Sequence, residues 1–213
     1  MHEVAVTLTD YALAVEGCLL AWLLSKIDDG VPEIRRWFIW FLAALAFTAA
    51  VGGTVHGFFP DEESMGYAIL WRTTLVSLGF LAFTGWGMGA AMALPHKWAR
   101  IVTAVAAIEF ISYAAFVLFV SQAYLVGVIN YLPASCFVLA AFVWLWAGRG
   151  VKAARWGVVG ILLTFVAAGV QTAGVSVHPV YLDHNTLYHL IQAIALVFIY
   201  LVGRGLGAQQ NPR

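Results

Sequence analysis

Long apolar stretches separated by short polar breaks dominate the chain. Hydrophobic residues make up 62% of its 213 positions and charged residues 10%, with a mean hydropathy of +0.87. A soluble domain cannot cover so much apolar surface, whereas a helix of roughly 20 apolar residues crosses a bilayer. Cutting the chain at its charged, Pro and Gly breaks predicts helices over residues 11–26, 36–59, 65–94, 98–122, 126–147, 152–176 and 184–203. We therefore predict an all-α polytopic membrane protein, with residues 1–204 as a single seven-transmembrane-helix bundle.

The distribution of Lys and Arg predicts the orientation of this bundle. The cations fall in the first, third and fifth loops and at the C-terminus, and the second loop carries acidic residues instead: Lys26, Arg35, Arg36, Lys97, Arg100, Arg149, Lys152, Arg155, Arg204 and Arg213 against Asp61, Glu62 and Glu63. Positive residues favour the cytoplasmic side of a membrane. We therefore expect the N-terminus outside, the C-terminus in the cytoplasm and residues 205–213 as a short cytoplasmic tail. A bacterial inner membrane or an endomembrane both fit, with membrane lipid as the partner and no nucleic acid.

Strongly polar side chains inside the predicted spans share one level of the membrane. A rise of about 1.5 Å per residue places them in the non-cytoplasmic half: Glu16, His56, Arg72, Asn130, Gln171, His184, His189 and Gln192. Such residues are costly in lipid and usually face the bundle interior or a hydrated cavity. Two simpler interpretations stay open, namely that Glu16 and Arg72 only neutralise each other and that Gln171 and Gln192 only join helices.

Three of these residues are histidines, and together they suggest a metal site. A catalytic zinc ion is typically held by three protein ligands with water in the fourth position, and neutral imidazole is a frequent ligand. However, His184 and His189 are five residues apart, so on a regular helix they point about 140° away from each other. His184 joins His56 and His189 only if it sits at an irregular start of the last helix. Asp183 or Asn185 would then cap that helix.

The acidic loop after His56 offers further candidates. Asp61 or Glu63 would orient an imidazole or act as a general base toward a metal-bound water. The alternative is an ordinary solvated acidic loop, because loop carboxylates are mostly exposed. In the second helix, Gly53 and Gly57 match the small-xxx-small pattern that allows helices to approach closely.

Two short motifs resemble the superfamily of seven-helix membrane hydrolases that includes the alkaline ceramidases and the progestin and adiponectin receptor proteins. In that family one zinc-binding His ends the second helix and an H-x-x-x-H pair begins the seventh. Gly52-Gly53-Thr54-Val55-His56 looks like the first element and His184-Asn185-Thr186-Leu187-Tyr188-His189 like the second. The family also has a Ser one turn before the first His and an Asp near the start of the third helix. In this chain Gly52 stands at the Ser position, and no Asp follows Met65 in the first turns of the third helix. The position four residues before His189, where the family has its other His, is Asn185.

The resemblance implies a zinc-dependent membrane hydrolase that acts on a lipid amide or ester. Zinc held by His56, His184 and His189 would activate a water molecule, and Asp61 or Glu63 would accept the proton of that water as a general base. The alternative from the residues themselves is a receptor or transporter without enzymatic activity. In that case the histidines, Glu16, Arg72 and the glutamines line a polar, pH-responsive cavity.

Overall fold

A computed structural model describes residues 3–27 and 32–206 and shows seven α-helices within them. These are α1 (Val4–Ser25), α2 (Pro32–Phe58), α3 (Met65–Ala93), α4 (His96–Phe119), α5 (Tyr124–Val143), α6 (Ala154–Thr172) and α7 (His184–Gly205), with a π-helical turn, Trp144–Gly148, after α5. All seven are long and apolar enough to cross a membrane. The predicted all-α bundle of seven helices is confirmed. Its orientation stays a prediction, and residues 207–213 of the predicted tail lie outside the described part.

The first helix differs most from its prediction. It begins at Val4 instead of residue 11, so Asp10 lies within the helix and is only 4% exposed. A charged residue ordinarily ends an apolar span, and that rule placed the boundary too late. It fails here because the Asp10 carboxylate is hydrogen-bonded inside the bundle.

Six of the helices form a closed ring. α1, α2, α3, α5, α6 and α7 each pack on their neighbours in this order, and α7 closes the ring against α1. α4 packs against α3 on the outside. We call the end at which α1, α3, α5 and α7 begin the site end of the bundle.

The two ends of the ring are packed differently. Large side chains fill the end opposite the site end, where fully buried residues of α1, α2, α3, α5 and α7 meet: Leu24, Phe38, Phe41, Met88, Phe142 and Ile199. Close packing of such side chains leaves little free volume. The site end is less filled, and it contains the cavity described below.

Small residues bring α1 and α2 into close contact at the site end. A Cβ atom added at Gly53 would lie 2.7 Å from Cβ of Asp10, and one at Gly57 would lie 2.7 Å from Cγ2 of Thr7. The Gly53 and Gly57 pattern is therefore confirmed as a close approach of two helices. Because of it, Asp10 comes within reach of the bundle interior.

We predict that a leucine at Gly160 destabilises the contact between α6 and α7. A Cβ atom there would lie 3.0 Å from the backbone oxygen of Ala195 and 3.1 Å from Cγ1 of Ile199. Overpacking of this kind costs about 1–3 kcal/mol. Thermal unfolding of Gly160→Leu in detergent should show the loss.

Gly169→Leu is the matched control, since Gly169 lies on the same helix with no atom within 4 Å of an added Cβ. Equal unfolding temperatures for the two variants would contradict the close α6–α7 contact.

Candidate functional site

A central cavity of about 290 Å³ opens inside the ring at the site end. All six ring helices line it, with polar and aromatic groups toward the site end and leucines deeper in: Asp10, Leu13, Leu45, Thr48, Ala49, Gly52, His56, Trp71, Thr74, Leu75, Leu78, Leu81, Tyr124, Gln171, Asn185, Tyr188, His189 and Gln192. A smaller cavity of about 70 Å³ shares Tyr124, Tyr188 and Gln192 with it. The volume suits a small organic ligand, since ligand pockets range from about 300 to 1,000 Å³.

A buried hydrogen-bonded group joins α1 to α7 at the cavity wall. Nε2 of His189 lies 3.1 Å from Oδ1 of Asp10, and Nδ1 lies 3.0 Å from Oγ1 of Thr9. An imidazole protonated on Nε2 donates to the carboxylate. The single hydrogen of the Thr9 hydroxyl has three acceptors within reach, Nδ1 of His189 and the carbonyls of Ala5 and Val6, at 3.0 Å each. His189 is 8% exposed and Asp10 4%. Both ring nitrogens of His189 are thus engaged by α1.

A second histidine–carboxylate pair lies at the rim. Nδ1 of His56 is 2.7 Å from Oε2 of Glu3, and the backbone N–H of Glu3 donates to the carbonyl of His56 at 3.3 Å. This pair is much more exposed than the first, at 32% and 43% for the two side chains. It ties the start of α1 to the end of α2, and among the described residues Nε2 of His56 has no hydrogen-bond partner.

Three polar side chains from three neighbouring helices form a hydrogen-bonded chain along the cavity wall. The Tyr124 hydroxyl donates to Oε1 of Gln171 at 3.1 Å, and Nε2 of Gln171 donates to Oδ1 of Asn185 at 3.0 Å. Asp183 caps α7 by accepting from the N–H of Thr186 at 2.8 Å. The predicted capping role of Asp183 is confirmed, and Asn185 instead joins α7 to α6.

Within the described part of the chain, two buried acceptors of residues in the cavity wall have no hydrogen-bond partner. They are Oδ2 of Asp10 and Oε1 of Gln192, and Gln192 is 2% exposed. An unsatisfied buried polar atom costs roughly 1–3 kcal/mol, so such atoms usually have a function or a bound molecule. Both residues line the central cavity.

One family model matches most of the chain. A family of unknown function, DUF6962, matches residues 5–208. The chain belongs to this family. No curated protein and no solved structure matches it.

Within this DUF6962 chain, four of the predicted residues meet at the cavity. His56, His189, Gln171 and Gln192 come from α2, α7 and α6 and all line it. His184 does not line it. α7 starts at His184 with a regular cap at Asp183, so the irregular start that would turn this imidazole inward is not formed.

The other predicted residues lie elsewhere. Asp61 and Glu63 belong to the exposed loop before α3, where Oδ1 of Asp61 accepts from the N–H of Glu63 at 3.0 Å. This turn favours the solvated-loop interpretation for both. Glu16 and Arg72 do not line the central cavity and form no ion pair with each other, and Arg72 lines a separate groove.

The described residues do not fit a three-histidine zinc site. Within 3–27 and 32–206 no group of three His, Cys, Asp or Glu side chains is placed to hold a metal ion. His184 does not line the cavity, and both nitrogens of His189 are already within hydrogen-bond distance of α1 side chains. Zinc binding therefore stays a prediction that requires His189 to release a partner.

Sequence reasoning missed the α1 contribution. Asp10 and Glu3 hold the two cavity histidines, yet they precede the predicted first span. One signal was present, because Val4, Ala5 and Val6 extend the apolar run upstream of Asp10 and place this acid inside a helix.

We predict that the buried pair is coupled more strongly than the rim pair. A double-mutant cycle of Asp10→Ala and His189→Ala should give about 1–3 kcal/mol in the free energy of unfolding, because each single variant leaves a buried polar group unpaired.

The comparison cycle of Glu3→Ala and His56→Ala should give about 0.2–1 kcal/mol, as expected for exposed pairs. Chemical unfolding in detergent micelles measures both. Equal coupling in the two cycles would contradict the proposed difference.

Proposed function

We propose that the chain is an integral membrane protein whose central cavity binds a small, amine-bearing ligand, as a receptor or a transporter. The observation that carries this proposal is the pair of buried, unpartnered acceptors, Oδ2 of Asp10 and Oε1 of Gln192, on the wall of one cavity. Acceptors without donors call for a ligand that supplies hydrogen-bond donors. The Lys and Arg distribution supports a site end on the non-cytoplasmic side.

The charges and rings of the cavity also favour a cation. Among the described residues that line it there is one carboxylate and no Lys or Arg. Three aromatic side chains, Trp71, Tyr124 and Tyr188, also line the cavity. Aromatic faces attract ammonium groups, and this attraction strengthens when water is excluded.

The remaining wall indicates an apolar body for the ligand. Leu13, Leu45, Leu75, Leu78 and Leu81 line the deeper part. An amphipathic amine would place its nitrogen near Asp10 and its apolar part among the leucines. This division of polar and apolar groups is typical of small-molecule sites.

A series of three probes of similar size tests this proposal. 2-Phenylethylamine should bind the purified protein about tenfold more tightly than 2-phenylethanol, because its ammonium group forms a charge-assisted hydrogen bond with Asp10, and phenylacetate should bind most weakly. Isothermal titration in detergent measures the three affinities. Equal affinity for the amine and the alcohol would contradict the proposal.

Variants locate the site within the chain. Asp10→Asn should abolish the preference for the amine, and Gln192→Leu should weaken amine binding while leaving the Asp10–His189 pair intact. Asp61→Asn is the control, since Asp61 is exposed and outside the cavity. If both cavity variants still prefer the amine over the alcohol, the amine binds outside the central cavity and the proposal is contradicted.

A metal-dependent hydrolase is the second candidate, and one observation favours it. His56 and His189 line the same cavity, and each is hydrogen-bonded to a carboxylate. Carboxylates commonly orient metal-binding histidines in this way. Metal analysis of the purified protein, with His56→Ala and His189→Ala beside it, separates the two candidates. A parent without zinc, or zinc unchanged in both variants, excludes the hydrolase.

A further inference from the structure

A second concave surface lies on the outside of the ring, along α3. This lateral groove, between α2 and α4, has a volume of about 550 Å³ and shares no lining residue with the central cavity. Its α3 wall includes Ile69, Arg72, Val76 and Phe80, together with Thr73 and Ser77, whose hydroxyls donate to backbone carbonyls of α3. Phe47 of α2 and Leu118 of α4 lie on its two sides. The spacing of three, four and four residues places the α3 side chains on one face of that helix.

The groove is open toward the surroundings of the bundle. Phe47 is 54% exposed, Ile69 56% and Leu118 43%. From Ile69 to Phe80 it extends about 16 Å along the helix axis at 1.5 Å per residue. A long, narrow and apolar surface of this kind, on a helix that is able to cross a membrane, matches one acyl chain lying parallel to the helix.

One cation interrupts this apolar wall. Arg72 is seven residues into α3, about 10 Å from its start by the helical rise. When the Gln122 amide is oriented with its oxygen toward Arg72, this oxygen accepts two hydrogen bonds, from Nε and Nη2 of Arg72, at 2.9 Å each. A guanidinium has five N–H donors, so three remain for another acceptor.

Nothing in the described part of the chain neutralises this charge. No carboxylate there lies within 4 Å of Arg72, and the expected partner, Glu16, forms no ion pair with it. A cation at this depth in a membrane is costly unless an anion compensates it. Arginine is well suited to phosphate because its planar fork forms two parallel hydrogen bonds with the oxygens.

We propose that the lateral groove binds an anionic phospholipid. The phosphate accepts hydrogen bonds from the Arg72 guanidinium, and one acyl chain lies on α3 between Phe47 and Leu118. The apolar length of the groove selects a lipid, since inorganic phosphate would leave that surface uncovered. The uncompensated positive charge selects an anionic headgroup over a zwitterionic one, whose own cation already balances its phosphate.

Native mass spectrometry of the delipidated protein in detergent tests this assignment. The probes are phosphatidylglycerol and phosphatidylcholine with identical acyl chains. The parent should bind phosphatidylglycerol about tenfold more tightly, because only that headgroup leaves a net negative charge for Arg72. Equal affinity for the two lipids in the parent would overturn the proposal without any variant.

Variants separate the headgroup contact from the chain contact. Arg72→Gln should remove the preference for phosphatidylglycerol, and Arg72→Lys should retain part of it. Val76→Trp should weaken both lipids about equally, because it fills the groove and leaves the cation in place. Arg149→Gln is the matched control, since Arg149 stacks on Trp144 at the other end of the bundle. A preference that persists in Arg72→Gln would overturn the assignment.

Competition with inorganic phosphate distinguishes a phospholipid site from a simple anion site. Added in excess, it should not displace phosphatidylglycerol, because the acyl chain contributes most of the contact. Displacement by phosphate alone would show an anion site instead of a lipid site. Thermal unfolding of each variant verifies that its fold is retained.

Discussion

The contact between His189 and Asp10 closes the structure. Inside an apolar bundle a polar side chain is shielded from water, so its hydrogen-bond partners must come from other helices. Here the imidazole of α7 is held on both nitrogens by α1, through Asp10 and Thr9. This contact joins the last helix of the ring to the first. It also forms part of the cavity wall, and Gln192 lies about one turn deeper on the same helix. At the rim, Glu3 joins the start of α1 to His56 of α2.

Two features of packing make this contact possible. Gly53 and Gly57 let α1 approach α2 so closely that a side chain at either position would collide with Thr7 or Asp10. At the opposite end, Phe38, Phe41 and Phe142 fill the space between the helices. Free volume is thus confined to the site end, where polar groups concentrate. The result is a cavity with a polar upper part and an apolar floor.

Much of this was predictable because hydropathy and charge act locally along a chain. Seven apolar runs predicted seven helices, and the shared depth of His56, His189, Gln171 and Gln192 predicted that they meet in a cavity. Depth along a helix follows from residue number, whereas direction around it does not. For this reason depth alone also placed Arg72 in the cavity, although it lines a separate groove. Glu16 was misplaced in depth as well, because α1 begins at Val4 and Glu16 lies 12 residues, about 18 Å, along it.

The sequence by itself determined the all-α class, the number of spans and the level at which polar groups gather, because each depends on composition and helical rise. Only the tertiary structure decided which side chains meet. It assigned Asp10 to His189, kept His184 outside the cavity and separated Arg72 from Glu16. These pairings depend on how each helix is rotated against its neighbours. That rotation is set by close contacts between residues far apart in the chain, such as Gly53 with Asp10.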